Sequence, residues 1–113
     1  HAVNNLTGKS HVKDLGTTGG GTRQFEASGG IKQAEKDFQD LTGSKRPYKP
    51  GEVHVEKFKD GSDSTAILRD KSTFPSKTSS TGTAPTVEIQ RATRANNFSP
   101  TPKDPATVKV RYP

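Results

Sequence analysis

Between residues 31 and 41 apolar side chains return with the period of a helix. Ile31, Ala34, Phe38 and Leu41 fall on one face, and Lys32, Lys36 and the acids take the other. Ser28 is placed to cap the start of this helix and Gly43 to end it. From residue 52 onward the period changes to two. Alternating runs at 52–58, 64–69, 86–91 and 107–112 predict four short strands. The first two flank Lys59-Asp60-Gly61-Ser62-Asp63, and Asp-Gly between alternating runs is a strong hairpin signal. In the last run Val108, Val110 and Tyr112 point one way, Lys109 and Arg111 the other.

Residues 1–28 lack such periodicity. They are rich in Gly, Ser, Thr and Asn, with Gly19-Gly20-Gly21 at their centre, and read as a flexible linker or entry segment. No Gly-Lys-Ser/Thr follows the triple glycine, so it carries no phosphate-loop pattern. The folded domain is expected over 29–113. Its expected class is α+β: one N-terminal helix packed on one face of a twisted antiparallel sheet of about four strands, the other face left wet. The loops at 70–85 and 92–106 are long for so small a domain, as functional loops often are.

Composition sharpens this picture. Of 113 residues only 26% are hydrophobic, and mean hydropathy is -0.92, so the core must be small. Eighteen basic against twelve acidic residues give +6 and a pI near 9.7, a balance that favours a polyanionic partner, nucleic acid first. No cysteine is present, which excludes disulfides, thiolate chemistry and cysteine-based zinc sites, and suits a reducing cytosol. The three histidines, His1, His11 and His54, lack metal-ligand spacing, so neither metal nor cofactor is expected. Aromatics are too few for a base-stacking sheet.

With the strands paired in order, the wet face is expected to collect His54, Glu56, Arg69, Thr86, Glu88, Gln90, Lys109 and Arg111, with Lys71, Ser72 and Thr73 at the strand end. Carboxylates, an imidazole, hydroxyls and cations are what RNA cleavage needs. A base takes the proton of a ribose 2′-OH, that oxygen attacks the adjacent phosphate, and cations hold the charge of the transition state. Arg69, Lys109 and Arg111 are the candidates for phosphate and transition-state charge, because the planar fork of arginine can bind two phosphate oxygens. Ser72 and Thr86 are candidate hydrogen-bond donors to the same phosphate, and His54 or Glu88 is the candidate base. Lys71, Thr73 and Arg91 are further candidate RNA contacts. The plainer alternatives are that Glu88 merely pairs with Lys109 across the sheet and that Lys109 and Arg111 are ordinary exposed strand residues.

The succession GGIKQAEKDFQDLTG, an Asp-Gly hairpin, ILRDKST, PTVEIQ and a closing VKVRY resembles the C-terminal toxin domains of bacterial contact-dependent growth inhibition and related polymorphic toxins. Within them it is similar to the ribonuclease group with a barnase/EndoU/colicin-like fold. Ala2-Val3-Asn4-Asn5 is similar to the Val-Glu-Asn-Asn marker that precedes such domains, with Val followed directly by Asn-Asn. The resemblance covers about residues 29–112. It implies secretion or display on the producing cell, delivery to a target bacterium's cytoplasm and cleavage of tRNA there. It also implies neutralisation by a cognate immunity protein, expected to be acidic by charge complementarity, and in some members use of elongation factor Tu. The group's Arg-x-x-Ser and Pro-Thr-x-Glu-Ile elements fall on Arg69, Ser72, Thr86 and Glu88, and its closing basic pair on Lys109 and Arg111. The competing expectations are a non-catalytic basic RNA- or protein-binding module and, third, a metal-dependent DNase.

Overall fold

A computed structural model describes residues 2–17, 21–71, 84–92, 99–101 and 104–113. The chain runs α1 (Ala2–Thr7), β1 (Val12–Thr17), β2 (Thr22–Ala27), α2 (Gly30–Thr42), β3 (His54–Lys57), β4 (Thr65–Arg69), β5 (Thr86–Gln90) and β6 (Thr107–Arg111). The strands form one six-stranded sheet in the order β1-β2-β6-β5-β4-β3.

This corrects the expected class. The described residues form a mostly-sheet fold with two short helices, not one helix on a four-stranded antiparallel sheet, and the barnase/EndoU/colicin-like assignment falls with it. The sheet is mixed, because β2 pairs with β6 in parallel while every other pair is antiparallel. The extra elements come from residues 2–27, read from composition as linker. Their local signal is weak for a physical reason. β1 is an edge strand in which residues 12–16 are exposed or half-buried, and a bulge between Asp14 and Gly16 breaks its alternation. In β2 only Phe25 and Ala27 are buried. Its parallel pairing with β6 joins residues more than eighty positions apart, which leaves no trace in a local window.

The sheet's two faces differ sharply. One carries Phe25, Ala66, Leu68, Val87, Ile89, Val108 and Val110, all buried, and receives Ala34, Phe38 and Leu41 of α2 together with Val3 and Leu6 of α1. Gly43 ends α2 in the left-handed conformation (φ 71°), its N–H donating to the Gln39 carbonyl as a helix stop requires. At the other end Gly29 (φ 105°), not Ser28, occupies the cap position, and no side chain caps it. A Cβ at Gly29 would stand 2.6 Å from that of Gln33, so only glycine fits.

One polar cluster gathers on the helix side around a buried carboxylate. Asp37 of α2 is fully buried. Its carboxylate accepts hydrogen bonds from Tyr112 Oη (2.7 Å), His11 Nε2 (2.8 Å), Gln33 Nε2 (3.0 Å) and Lys9 Nζ (3.3 Å). Burial works to raise its pKa, but the bonds from His11, Tyr112 and Gln33 and the Lys9 charge outweigh it and hold the carboxyl below its ordinary value. Burial, then the bond to Asp37, pushes the Tyr112 hydroxyl far up. The cluster ties the α1–β1 turn, α2 and the end of the chain to one charge.

Candidate functional site

The opposite face is built in rows by the strand register. Arg69 of β4 stands beside Thr86 of β5, Thr86 beside Arg111 of β6, and Arg111 beside Glu26 of β2. The next row inward runs Val55, Ile67, Glu88, Lys109 and Gln24. With adjacent strands about 4.8 Å apart and about 3.3 Å per residue, the backbones of Arg69, Thr86, Arg111, Glu88 and Lys109 occupy a field of about 10 by 7 Å. The sheet therefore brings five of the predicted residues together on one face.

The environment of that face is not an ordinary wet surface. Arg111 and Thr86 are 1% exposed and Lys109 is 9%, so the expectation of plain surface cations is corrected. Arg111 Nη1 donates to Gln24 Oε1, which fixes the guanidinium against β2. Lys109 Nζ lies 3.7 Å from Glu88 Oε1, and Gln90 Nε2 donates to Glu88 Oε2 at 3.0 Å. Thr86 Oγ1 donates to the Ala84 carbonyl at 3.0 Å, so its hydroxyl proton is directed along the chain rather than across the face. Lys109 has its pKa pushed down. Burial is the largest cause, Glu88 opposes it, and Arg111 and Arg69 add to it. Lys109 thus feels the charges of both arginines, and Glu88 offsets only part of them, a local excess that an anion would relieve.

Other predicted residues lie elsewhere. His54 pairs with Leu68 and Glu56 with Ala66, which turns both toward the helix side. His54 is 3% exposed, its ring between Phe38 (centroids 5.9 Å) and Tyr48 (5.8 Å, edge-on). Burial first, then the nearby Arg46 charge, push its pKa down, so it sits neutral in the core. The reason is phase: β3 begins at residue 54, and strand alternation gives His54 and Val55 opposite faces. The side left to the open face carries the exposed Val53 and Val55. Arg91, one residue past β5, turns away from the row and is held by Asp104 at 2.7 Å with 7% of its side chain exposed, a structural tie rather than a surface contact. Lys71 is exposed two residues beyond Arg69. Ser72 and Thr73 lie outside the described residues.

Sequence reasoning missed Gln24 and Glu26, which flank Lys109 and Arg111 through the parallel pair. It also missed a cleft of about 410 Å³ at the same end of the sheet, on the helix side, bounded by Ile31, Tyr48, Pro50 and Pro85. The paired prolines around Tyr48 were the only signal available for it. Among the described residues no group of three His, Asp or Glu side chains is placed to hold a metal ion, and no helix is long and apolar enough to cross a membrane. No protein-family model, no curated protein and no solved structure matches this chain.

Proposed function

We propose that the chain is a metal-independent endoribonuclease whose active face is formed by β4, β5 and β6. One observation carries the reading: Arg69, Thr86, Arg111, Glu88 and Lys109 share one face within the span of a single ribose–phosphate link, Thr86, Lys109 and Arg111 buried, Arg69 and Glu88 half-buried, and three cations set against one carboxylate. Arg69 and Arg111 hold the scissile phosphate from both sides of Thr86. Glu88 takes the 2′-OH proton, now that His54 is committed to the core. O2′ bonds to phosphorus, the bond to the 5′-oxygen breaks, that oxygen takes a proton from water, and Glu88 returns its proton to solvent. Lys109, beside Glu88, adds charge where the pentacoordinate phosphorus develops it. The products are a 2′,3′-cyclic phosphate and a 5′-hydroxyl.

The sequence resemblance supports tRNA as substrate, action as a toxin in a target bacterium's cytoplasm, and an immunity partner. The basic face supports an acidic surface on that partner. Inducing the domain in cells and separating total RNA on a gel tests this directly. Discrete tRNA fragments with cyclic-phosphate ends, formed equally by purified protein in EDTA, are expected. A second reading, a non-catalytic RNA-binding module, is favoured by how well satisfied the row already is, with Arg111 on Gln24 and Glu88 between Lys109 and Gln90. It predicts salt-sensitive binding and intact RNA.

A further inference from the structure

The cleft beside the cation row has a composition that this mechanism does not use. Its walls are Ile31, Tyr48, Pro50 and Pro85, flat or apolar surfaces, and its volume of about 410 Å³ lies within the roughly 300–1,000 Å³ of small-ligand sites. The Tyr48 ring is fixed before any ligand arrives. Its hydroxyl donates to the Glu52 carbonyl at 2.9 Å and its plane meets His54 edge-on. A rigid aromatic face between prolines is a stacking surface for a planar ring.

The charged groups lining the cleft are Glu35, Asp70 and Lys32. Each carboxylate spends one oxygen on the backbone: Tyr48 N–H donates to Glu35 Oε2 at 2.6 Å, and Gly51 N–H to Asp70 Oδ2 at 2.8 Å. These bonds orient both groups, and the Asp70 carboxylate also faces the Tyr48 hydroxyl, whose pKa it helps to raise after burial. An ionised carboxylate only accepts, and two parallel N–H donors match it as arginine's fork does. Among the four RNA bases, guanine alone presents two adjacent donors, N1–H and the 2-amino group. Uracil presents one N–H flanked by two carbonyls, which a carboxylate repels. Cytosine and adenine present a single amino group beside an acceptor.

Position links this cleft to the proposed chemistry. Asp70 follows Arg69 in the chain, and Pro85 precedes Thr86. Both line the cleft together with α2, on the other side of the sheet end from their neighbours in the row. A chain laid across the ends of β4 and β5 therefore puts a phosphate on the row and an adjoining base in the cleft. We infer that the cleft between α2, Tyr48 and the ends of β4 and β5 is a guanine-binding subsite that selects the RNA sequence at the cut. The selection of a cut rests on the ribonuclease reading, whereas binding of the base does not.

The test separates the two. Uniformly ¹⁵N-labelled protein is titrated with the 3′-monophosphates of guanosine, adenosine, cytidine and uridine, and cleaved RNA ends are sequenced. Guanosine 3′-monophosphate is expected to shift the amides of Ile31, Lys32, Gly51 and Asp70 and to bind at least about tenfold more tightly than the uridine compound, the effect of one charged hydrogen bond. Glu35→Gln and Asp70→Asn keep an oxygen for the backbone N–H and remove the charge. Each should weaken the guanosine compound about tenfold, leave the cytidine compound unchanged, and relax an enrichment of G beside the cut. RNA cleavage without base preference, with no guanosine-dependent shifts at the cleft, overturns the subsite and leaves the ribonuclease standing. Guanosine binding in the cleft without cleavage upholds the subsite and removes the ribonuclease. Equal binding of all four compounds overturns the guanine assignment.

Discussion

The same three strands, β4, β5 and β6, bury side chains on both faces, and the two faces resolve burial in opposite ways. Toward α2 they present Ala66, Leu68, Val87, Ile89, Val108 and Val110, where each methylene removed from water stabilises the fold by about 0.8 kcal/mol. Where charge enters that side, at Asp37, a single carboxylate is surrounded by four donors from separate parts of the chain. Toward the other side the strands present Arg69, Thr86, Lys109 and Arg111, nearly as inaccessible at the last three positions but dominated by like charge. Desolvating Lys109 and Arg111, with Glu88 the one carboxylate close to Lys109 among the described residues, costs stability, and groups arranged so tend to mark a site rather than a scaffold. The contrast is between charge balanced in place and charge left in excess.

The largest break in that contrast comes from Asp37→Ala. It leaves His11, Gln33 and the buried Tyr112 hydroxyl without their acceptor, while Lys9 keeps its 3.0 Å pair with Asp40, and should cost about 2–4 kcal/mol in a urea unfolding curve. A change under about 1 kcal/mol would show that the cluster contributes little. On the other face Arg69→Ala is expected to leave the melting temperature within a few degrees and reduce RNA cleavage about 10²–10³-fold, the loss typical of one transition-state donor. A comparable loss of stability and activity together would mean that the row is scaffold like its counterpart.

Tyr112→Phe removes one of the four donors and should cost about 1–2 kcal/mol with activity retained, since Tyr112 and Arg111 face opposite ways at the end of β6. The smallest effect distinguishes the two buried titrating groups by pH. His54 has its folded pKa below the ordinary 6.5, so its neutral form is favoured in the fold. The unfolded chain then takes up the proton first, and stability, complete above pH 6.5, falls as pH drops through the folded value. Asp37, held below its ordinary 3.8, contributes stability that is present above pH 3.8 and lost below it. Chemical unfolding from pH 8 to pH 3 should therefore show two steps of weakening. His54→Leu should erase only the upper one, without changing cleavage at neutral pH.

Much of the row was legible from the chain. Alternation in TVKVRY and PTVEIQ put Lys109, Arg111, Thr86 and Glu88 on one side, because a strand's period of two is a local property. The helix was legible for the same reason, its apolar face repeating at 3.6. His54 was misplaced because β3 is only four residues long, and a run that short does not reveal which of its faces meets the core. The N-terminal hairpin escaped because an edge strand with a bulge has almost no apolar pattern to read. Its partner β6 lies at the other end of the chain.

What the amino-acid sequence determined by itself is whatever depends on neighbours within a turn or a strand: α2 and its glycine stop, the Asp-Gly hairpin, the alternation that sorts cations from valines, and a charge suited to a polyanion. Only the tertiary structure decided that β2 lies parallel to β6 and sets Gln24 and Glu26 beside the cations, that Asp37 gathers donors from both ends of the chain, and that Tyr48, Glu35 and Asp70 meet in a cleft one residue from the row. The physical reason is range. Propensity and periodicity act over a few residues, whereas a site is made by pairing and packing among segments that nothing in a local window relates.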